Sequence, residues 1–187
     1  IEEELQQLGM AGAKFSTRFA PMEGELQYGM NGADQPEFYA AINQGEGIRP
    51  LKNSLSGGEL SRLMLALKTT LAERDTTPVL LFDEVEAGIS GETGHAVGER
   101  LSALGKHHQV ITVSHLHQVA ARADHHLLVS KSTSEGRTRT SITPLDREMR
   151  SQELARMLGA PHDSQTVLHA RTLLDQHAPH QESRFQT

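Results

Sequence analysis

The sequence contains no cysteine, so neither a disulfide bridge nor a metal site with thiolate ligands can form. No apolar run approaches the roughly 18 to 20 residues that a membrane-spanning helix needs, and no basic start followed by an apolar stretch indicates a signal peptide. These absences predict a cytoplasmic protein with no membrane partner. The formal net charge is −6, from 24 acidic and 18 basic residues, whereas a dedicated DNA binder is usually basic overall. Any contact with DNA is therefore expected to be local or to lie elsewhere.

A motif for binding nucleotide phosphates is also missing. The pattern G-x-x-x-x-G-K-[ST], whose backbone amides and lysine surround the β and γ phosphates, occurs nowhere in the 187 residues. The pair Gly105-Lys106 has neither the upstream glycine nor the following Ser or Thr. A chain of this length can form one compact domain with a sizeable core, but it cannot complete a nucleotide site of this type alone.

What the sequence does contain is a glycine-rich helix start at residues 55–59, LSGGE. Ser56 and Glu59 have the spacing of a capping box, which predicts a helix from Gly57 with Ser56 as its N-cap. Glycines in the first turn cost roughly 1 kcal/mol each relative to alanine, but they leave the terminal amides accessible to an anion such as phosphate. The simpler interpretation is a capped core helix. One buried apolar face is predicted, formed by Leu60, Leu63, Met64, Leu67 and Leu71.

A continuous apolar run at 79–82 follows Pro78 and ends in the two acids Asp83 and Glu84. Such a run predicts a strand buried on both faces. The acids then lie at the carboxyl end of the strand, where open α/β sheets bind their ligands. The simpler interpretation of the acid pair is a helix N-cap or a solvated turn, which is less favoured beside the glycine-rich helix start.

The two motifs, LSGGE and LLFDE, resemble the signature motif and the Walker B strand of ABC-type ATPases. The longer stretches LSGGELSRLMLALK, FDEVEAGISG and VSHLHQVAARADHHLLVSK are similar to the bacterial RecN family, SMC-like ATPases of DNA double-strand break repair and recombination. The resemblance implies an α/β fold: the C-terminal lobe of an ABC-type ATPase head, a mostly parallel sheet flanked by helices with additional antiparallel strands. It also implies that the phosphate loop lies on a missing N-terminal half, beyond a long coiled coil.

The resemblance implies ATP and Mg²⁺ as ligands and gives roles to the polar residues. Asp83 is expected to hold Mg²⁺, because a hard cation prefers carboxylate oxygen beside phosphates. Glu84 is expected to orient and deprotonate the attacking water, with a base strength that depends on partial burial. His115, which follows the next predicted strand, resembles the switch histidine that contacts the γ-phosphate.

The resemblance implies that two heads pair and that each head completes the ATP site of the other. Two sets of residues are implied to act between the paired heads. The signature set, which would bind the ATP of the opposing head, is Leu55, Ser56, Gly57, Gly58 and Glu59. The loop set, which would connect the two ATP sites, is Glu86, Gly88 and Ser90. At position 86 the family usually has aspartate, so this chain keeps the charge with one extra methylene group.

The implied partners are the N-terminal half of the same head, a second head in an ATP-dependent homodimer, and DNA bound through the full-length protein in the nucleoid. The basic residues Lys131, Arg137 and Arg139 are candidates for contacting DNA phosphates, although a solvated turn is the simpler account.

Two alternative functions come from other classes of protein. The first is the nucleotide-binding subunit of an ABC transporter, but its phosphate loop would have to lie within the 54 residues that precede Leu55. The second is a non-catalytic scaffold that clamps DNA, which the intact acids Asp83 and Glu84 and the intact His115 disfavour.

The remaining patterns divide the chain into three parts: the end of a returning coiled-coil arm at 1–12, the half-head at 13–177 and a flexible tail at 178–187. Short strands are predicted at 13–21, 25–30 and 37–43, followed by a loop at 44–53. The later elements are predicted as a helix at 91–104, a strand at 109–113, a short helix at 118–123, strands at 125–130 and 138–144 across a turn at 131–137, and helices at 151–158 and 163–177.

Overall fold

The computed structural model describes residues 1–21, 32–43, 45–51, 55–89, 91–134 and 137–177. The chain forms two compact units, Ile1–Val113 and Ser114–Thr187. The first unit contains α1 (Glu2–Gln7), β1 (Lys14–Pro21), β2 (Asp34–Ala41), β3 (Arg49–Pro50), α2 (Gly57–Leu71), β4 (Val79–Phe82), α3 (Glu92–Leu104) and β5 (Gln109–Thr112). The second unit contains α4 (His117–Ala120), β6 (Leu127–Ser134), β7 (Arg137–Pro144), α5 (Arg147–Met157) and α6 (Ser164–Gln176).

The chain combines helices with parallel and antiparallel strands, which confirms the predicted α/β class. Strands β4 and β5 pair in parallel, while β1-β2-β3 and β6-β7 form antiparallel sheets. The strand predicted at 25–30, the loop residue Ser90 and the predicted tail at 178–187 lie outside the described residues. Within the described part, none of the helices combines the length and apolar character that crossing a bilayer requires.

The antiparallel sheet of the first unit is held by long pairing between β1 and β2, from Lys14 opposite Ala41 to Pro21 opposite Asp34. Its third strand, β3, lies where a loop was predicted, so that prediction is wrong at these two residues. The physical reason is that Pro50 needs no ladder hydrogen bond from its nitrogen and is tolerated at the edge of a sheet.

Helix α1 is too short to be stable in isolation and is held by its contacts. Leu5 and Leu8 are fully buried in the first unit. On the polar side of the helix, Arg100 of α3 donates from Nε to Glu4 Oε2 at 2.6 Å. Burial and this ion pair together fix α1 to the unit. The interpretation of 1–12 as the end of a coiled-coil arm stays a prediction.

The face that α2 buries differs from the predicted one. Leu63 and Leu67 are buried as expected, but three predicted core residues are exposed: Leu60, Met64 and Leu71. Leu65 and Ala66 are buried in their place. This helix is apolar around most of its circumference, so periodicity alone could not decide which side packs inward.

The parallel pair of β4 and β5 has one covered face and one bare face. Leu80 and Phe82 are 6% and 5% exposed, whereas Leu81, on the opposite face of β4, is 70% exposed. The bare face continues on β5 with Ile111 and just beyond it with Val113, which are 47% and 61% exposed. The prediction that the strand at 79–82 is buried on both faces is therefore wrong for this chain, because the described residues cover only one face of the pair.

The second unit has its own small core, to which the end of α4 and the helices α5 and α6 contribute. Its buried members are Ala121, Leu154, Ala155, Ala170 and Leu174. Arg150 caps the C-terminal end of α4 and holds the turn after it, because its guanidinium donates to the carbonyl oxygens of Ala120 at 3.4 Å, Ala123 at 2.6 Å and Asp124 at 3.2 Å.

Several boundaries in the second unit differ from the predicted ones. Helix α5 begins at Arg147, earlier than predicted, because the Asp146 side chain caps it by accepting from Met149 N at 2.8 Å. Strands β6 and β7 run through most of the predicted turn at 131–137. Polar cross-strand contacts such as Ser130 Oγ to Ser141 Oγ, at 2.8 Å, help the pairing.

Candidate functional site

The N-terminus of α2 has the predicted capping box. Glu59 N donates to Ser56 Oγ at 3.4 Å, and Ser56 N donates to Glu59 Oε2 at 2.9 Å. The hydrogen bond from the Ser56 backbone, followed by the one from its side chain, lowers the pKa of the Glu59 carboxyl below its ordinary value. The carboxylate therefore stays charged next to the positive end of the helix, which favours the helix further.

The glycines of this first turn leave two backbone donors unsatisfied. The amides of Gly57 and Gly58 donate to no acceptor among the described residues. Gly57 is exposed, whereas Gly58 is buried. Bare amides at a helix terminus have the chemistry of an anion site. The arrangement fits a phosphate oxygen as ligand.

The acid pair follows β4 on an exposed turn. Asp83 Oδ1 accepts from Glu84 N at 2.9 Å, and Asp83 Oδ2 accepts no hydrogen bond from the described residues, which leaves it available to a cation. Glu84 has φ of 56°, in the left-handed region that non-glycine residues rarely adopt. Such strain persists where the surroundings hold it and is frequent at functional sites. The expected partial burial of Glu84 is wrong for this chain, where its side chain is exposed.

The structure brings the helix terminus and the acid pair together. Ser61 Oγ donates to Asp83 O at 2.7 Å. A Cβ atom at Gly57 would stand 2.6 Å from Glu84 Oε2, and one at Gly58 would stand 2.7 Å from Ala87 Cβ. The two glycines therefore serve a purpose that sequence reasoning missed, because they allow α2 to pack directly against the loop that carries the acids.

Arg62 is a further residue at this contact that sequence reasoning missed. It is 6% exposed, and its Nη1 donates to Ala87 O at 2.7 Å and to Val85 O at 3.3 Å. Burial lowers the pKa of its guanidinium, although arginine remains charged in proteins. The only signal in the sequence is a cation placed within an apolar stretch of α2.

The residues expected to connect two ATP sites are divided between the interior and the surface. Glu86 is 4% exposed and follows the fully buried Val85. Gly88 is exposed with φ of 75°, a conformation that suits glycine. The role of these residues between two heads stays a prediction.

His115 follows β5 and belongs to the second unit, so it is described separately from the acid pair. Its side chain is exposed. The turn that presents it is shaped by a hydrogen bond from Leu116 N to Ser114 Oγ at 3.1 Å. No group of three or more His, Asp or Glu residues that could hold a metal ion occurs in the described ranges.

Comparison with known proteins places these motifs in a family. Residues 9–138 match the family described as the RecF/RecN/SMC N terminal domain. The DNA repair protein RecN of Treponema pallidum (strain Nichols) is 44% identical over 178 residues, which cover 93% of this chain and 31% of the relative. The DNA repair protein RecN of Vibrio cholerae serotype O1 is 39% identical over 175 residues, with coverages of 93% and 31%. The chain thus spans about a third of the length of these curated relatives.

Two solved structures share the fold. The Smc head domain with a coiled coil and joint from Pyrococcus yayanosii matches with a TM-score of 0.53 and 22% identity, over 83% of this chain and 28% of that chain. The Smc head domain bound to the C-terminal domain of ScpA from Pyrococcus furiosus matches with a TM-score of 0.50 and 22% identity, over 83% and 36%. At such identities the likeness concerns the fold of the head. The match to the family model covers more than half of the length of this chain. This chain therefore belongs to the RecF/RecN/SMC family, within which it is similar to the RecN proteins.

Proposed function

We propose that this chain is the C-terminal half of an SMC-like ATPase head that, in DNA double-strand break repair and recombination, binds and hydrolyses ATP with Mg²⁺ between two heads. The observation that carries the proposal is the packing of a glycine-opened helix terminus against an acid-bearing loop, fixed by the 2.7 Å hydrogen bond from Ser61 Oγ to Asp83 O. One element offers amides to phosphate oxygens, and the other offers carboxylates to a cation and a water molecule. The RecN relatives support the part in DNA repair, and the likeness to the Smc head domain supports the fold of a head.

In this proposal the two acids have different roles. Asp83 holds Mg²⁺ through its available Oδ2, and the bound ion supplies charge neutralisation for the phosphates. Glu84 accepts a proton from the attacking water, since its exposed carboxylate is reachable from solvent. His115 contacts the γ-phosphate, and the loop with Glu86, Gly88 and Ser90 links the two sites.

Glu84→Gln tests the proposed base, because it keeps the shape of the side chain and removes the proton acceptor. In the full-length protein, the variant should bind ATP normally and lose on the order of 10² to 10⁴-fold in turnover. ATP should then hold two heads together as a long-lived dimer. The exposed Glu73 of the same unit gives the matched control, since Glu73→Gln removes an equivalent charge away from the site and should leave turnover unchanged. Turnover by Glu84→Gln at the wild-type rate would exclude Glu84 as the base.

A missing half of the head is required because this chain has no phosphate loop. The bare face of β4 and β5, with Leu81, Ile111 and Val113, supports this requirement, since strands of a parallel sheet are normally covered on both sides. The relatives are about three times as long as this chain, so further protein is present in them to provide the cover.

Calorimetric measurement of MgATP binding tests whether this chain is half of a split head or a head that binds nucleotide alone. The 187 residues alone should show no saturable MgATP binding, whereas co-expression with the N-terminal part of the protein should restore both binding and turnover. Micromolar MgATP binding by the isolated chain would overturn the split-head proposal.

The two-head arrangement needs its own test, because the Glu84 carboxylate lies beside Gly57 of the same chain. We assign the helix terminus to the ATP of an opposing head. Ser56→Arg places a long side chain at that interface, so each separate head should still bind ATP while ATP-dependent dimerisation and hydrolysis are lost. Mixing this variant with a phosphate-loop variant leaves one intact site per mixed dimer and should recover a fraction of activity. Loss of ATP affinity in the monomeric Ser56→Arg head would place the motif in its own chain's site.

The part played in DNA repair is tested in cells. The relatives carry the name DNA repair protein, and we extend that role, with DNA as a partner of the full-length protein in the nucleoid, to this chain. A strain that carries only the Glu84→Gln protein should survive double-strand breaks as poorly as a strain that lacks the protein. Survival at the wild-type level would show that repair does not need the ATPase activity.

A further inference from the structure

We infer that Arg62 is a positioning residue that fixes the acid-bearing loop, residues 83–88, against the first two turns of α2, so that the helix terminus and the acid pair of one chain move as a single body. The inference rests on the proposed ATPase function and adds to it a residue that neither motif contains.

The contact between α2 and the loop is made by side chains that bind backbone. Ser61 Oγ donates to Asp83 O at 2.7 Å, while Arg62 Nη1 donates to Val85 O at 3.3 Å and Ala87 O at 2.7 Å. Two consecutive helix residues thus bind three carbonyl oxygens on alternate residues of the loop. The position of the loop backbone, rather than of one side chain, is therefore fixed.

The choice of arginine at this buried position requires an explanation. Burying a charge is unfavourable, and an apolar side chain of similar volume is often at least as stabilising. Arg62 is 6% exposed, and its Nη1 donates to carbonyl oxygens of the loop. A guanidinium that bridges two carbonyls does what an apolar side chain cannot do, namely set the spacing between the helix and the loop.

The spacing between α2 and the loop should affect turnover, because the loop carries the proposed base, Glu84. Glu84 has a φ of 56°, which is strained for a glutamate and persists only where neighbouring contacts hold it. The carbonyls that Arg62 binds follow Glu84 by one and three residues. Loss of these hydrogen bonds should let the turn relax and move the carboxylate, and a displacement of about 1 Å can cost on the order of 10²-fold in rate.

The experiment compares three variants of the full-length protein. Arg62→Met fills the space without donors, Arg62→Lys keeps a charged donor, and Arg100→Met removes a partly buried arginine that binds Glu4 instead of the loop. Arg62→Met should lower kcat on the order of 10²-fold with unchanged ATP affinity of the separate heads. Arg62→Lys should recover part of that loss, and Arg100→Met should retain the wild-type kcat.

Hydrogen exchange gives a readout that does not depend on ATP turnover. Two amides donate to carbonyl oxygens of the loop: Ala87 N to Glu84 O at 2.9 Å and, directly after the loop, Ile89 N to Glu86 O at 3.2 Å. Arg62→Met should accelerate exchange of these amides about tenfold or more relative to the rest of the first unit, whereas Arg100→Met should not.

Combining Arg62→Met with Glu84→Gln tests whether Arg62 affects turnover through the position of Glu84. If Arg62 acts through the loop, Arg62→Met should lower the residual turnover of Glu84→Gln by much less than it lowers that of the wild type. Unchanged loop exchange, or a kcat loss that Arg100→Met reproduces, would overturn the inference. Wild-type protein without ATPase activity would instead refute the proposed function, and the exchange experiment would still decide whether Arg62 fixes the loop.

Discussion

Replacing Gly58 with alanine tests how closely α2 packs on the acid-bearing loop. The added Cβ would stand 2.7 Å from Ala87 Cβ, 3.0 Å from Ala87 O and 3.1 Å from Glu84 O. Two of these atoms belong to the backbone of the loop, so the loop itself must move. Alanine in place of glycine otherwise stabilises a helix by about 0.5 to 1 kcal/mol, whereas overpacking costs typically about 1 to 3 kcal/mol. We expect a net destabilisation of about 1 to 2 kcal/mol.

Gly57 provides the matched control one residue earlier. A Cβ there meets only the end of the Glu84 side chain, with Oε2 at 2.6 Å and Cδ at 3.8 Å. Because Glu84 is exposed, its side chain can rotate away. Gly57→Ala should therefore leave the free energy of unfolding unchanged or raise it by up to about 1 kcal/mol.

Urea unfolding followed by circular dichroism measures the difference between the two variants in the same background. Gly58→Ala should unfold at a lower urea concentration than Gly57→Ala with the same slope m, and its Tm should be lower by roughly 3 to 8 °C. Equal stability of the two variants would show that the loop yields without resistance, and the proposed rigid contact would then be wrong.

Three further predictions concern local interactions. Ser56→Ala removes the cap of α2 and should destabilise the protein by about 1 kcal/mol, with little further loss when Glu59→Ala is added, as thermal unfolding of the single and double variants can show. Hydrogen bonds from Ser56 lower the pKa of Glu59, so the stability that the Glu59 carboxylate contributes is complete above the ordinary pKa of glutamate, about 4.3, and is lost as the pH falls through the lowered value. Glu59→Gln should therefore weaken the dependence of the free energy of unfolding on pH between pH 6 and pH 3. Burial, and then the charge of Arg150, lowers the pKa of His126, so acidification below about pH 6.5 should destabilise the second unit; His126→Gln should reduce this dependence, while His125→Gln, at an exposed neighbour, should not.

The elements that the sequence predicted well are those specified by neighbouring residues. The capping box depends on Ser56 and Glu59, three positions apart, and the structure confirms both of its hydrogen bonds. The α3 and α6 helices were likewise predicted to within a residue or two at each end, since their apolar periodicity and end signals are local.

The features that the sequence did not predict depend on contacts between distant residues. Arg62 lies 23 and 25 residues before its two carbonyl partners, and a charged residue in a helix is ordinarily assigned to the solvent side. The buried face of α2 raises the same difficulty, because Leu60 and Leu63 are equally apolar and only the opposing surface decides which of them is buried. The packing of Gly57 against Glu84 could not be inferred from a motif in which glycine already had an explanation.

The wrong prediction for β4 carries information about the rest of the protein. The run at 79–82 has the composition of a strand buried on both faces, yet Leu81 is 70% exposed. Fully burying a leucine side chain is worth about 1.5 to 3 kcal/mol, and that gain is largely unrealised at this position. The neighbouring Ile111 on β5 extends the same bare surface, so the pattern belongs to the sheet rather than to one residue. The composition of β4 therefore fits the proposed split head, in which the N-terminal half covers this face and supplies the phosphate loop.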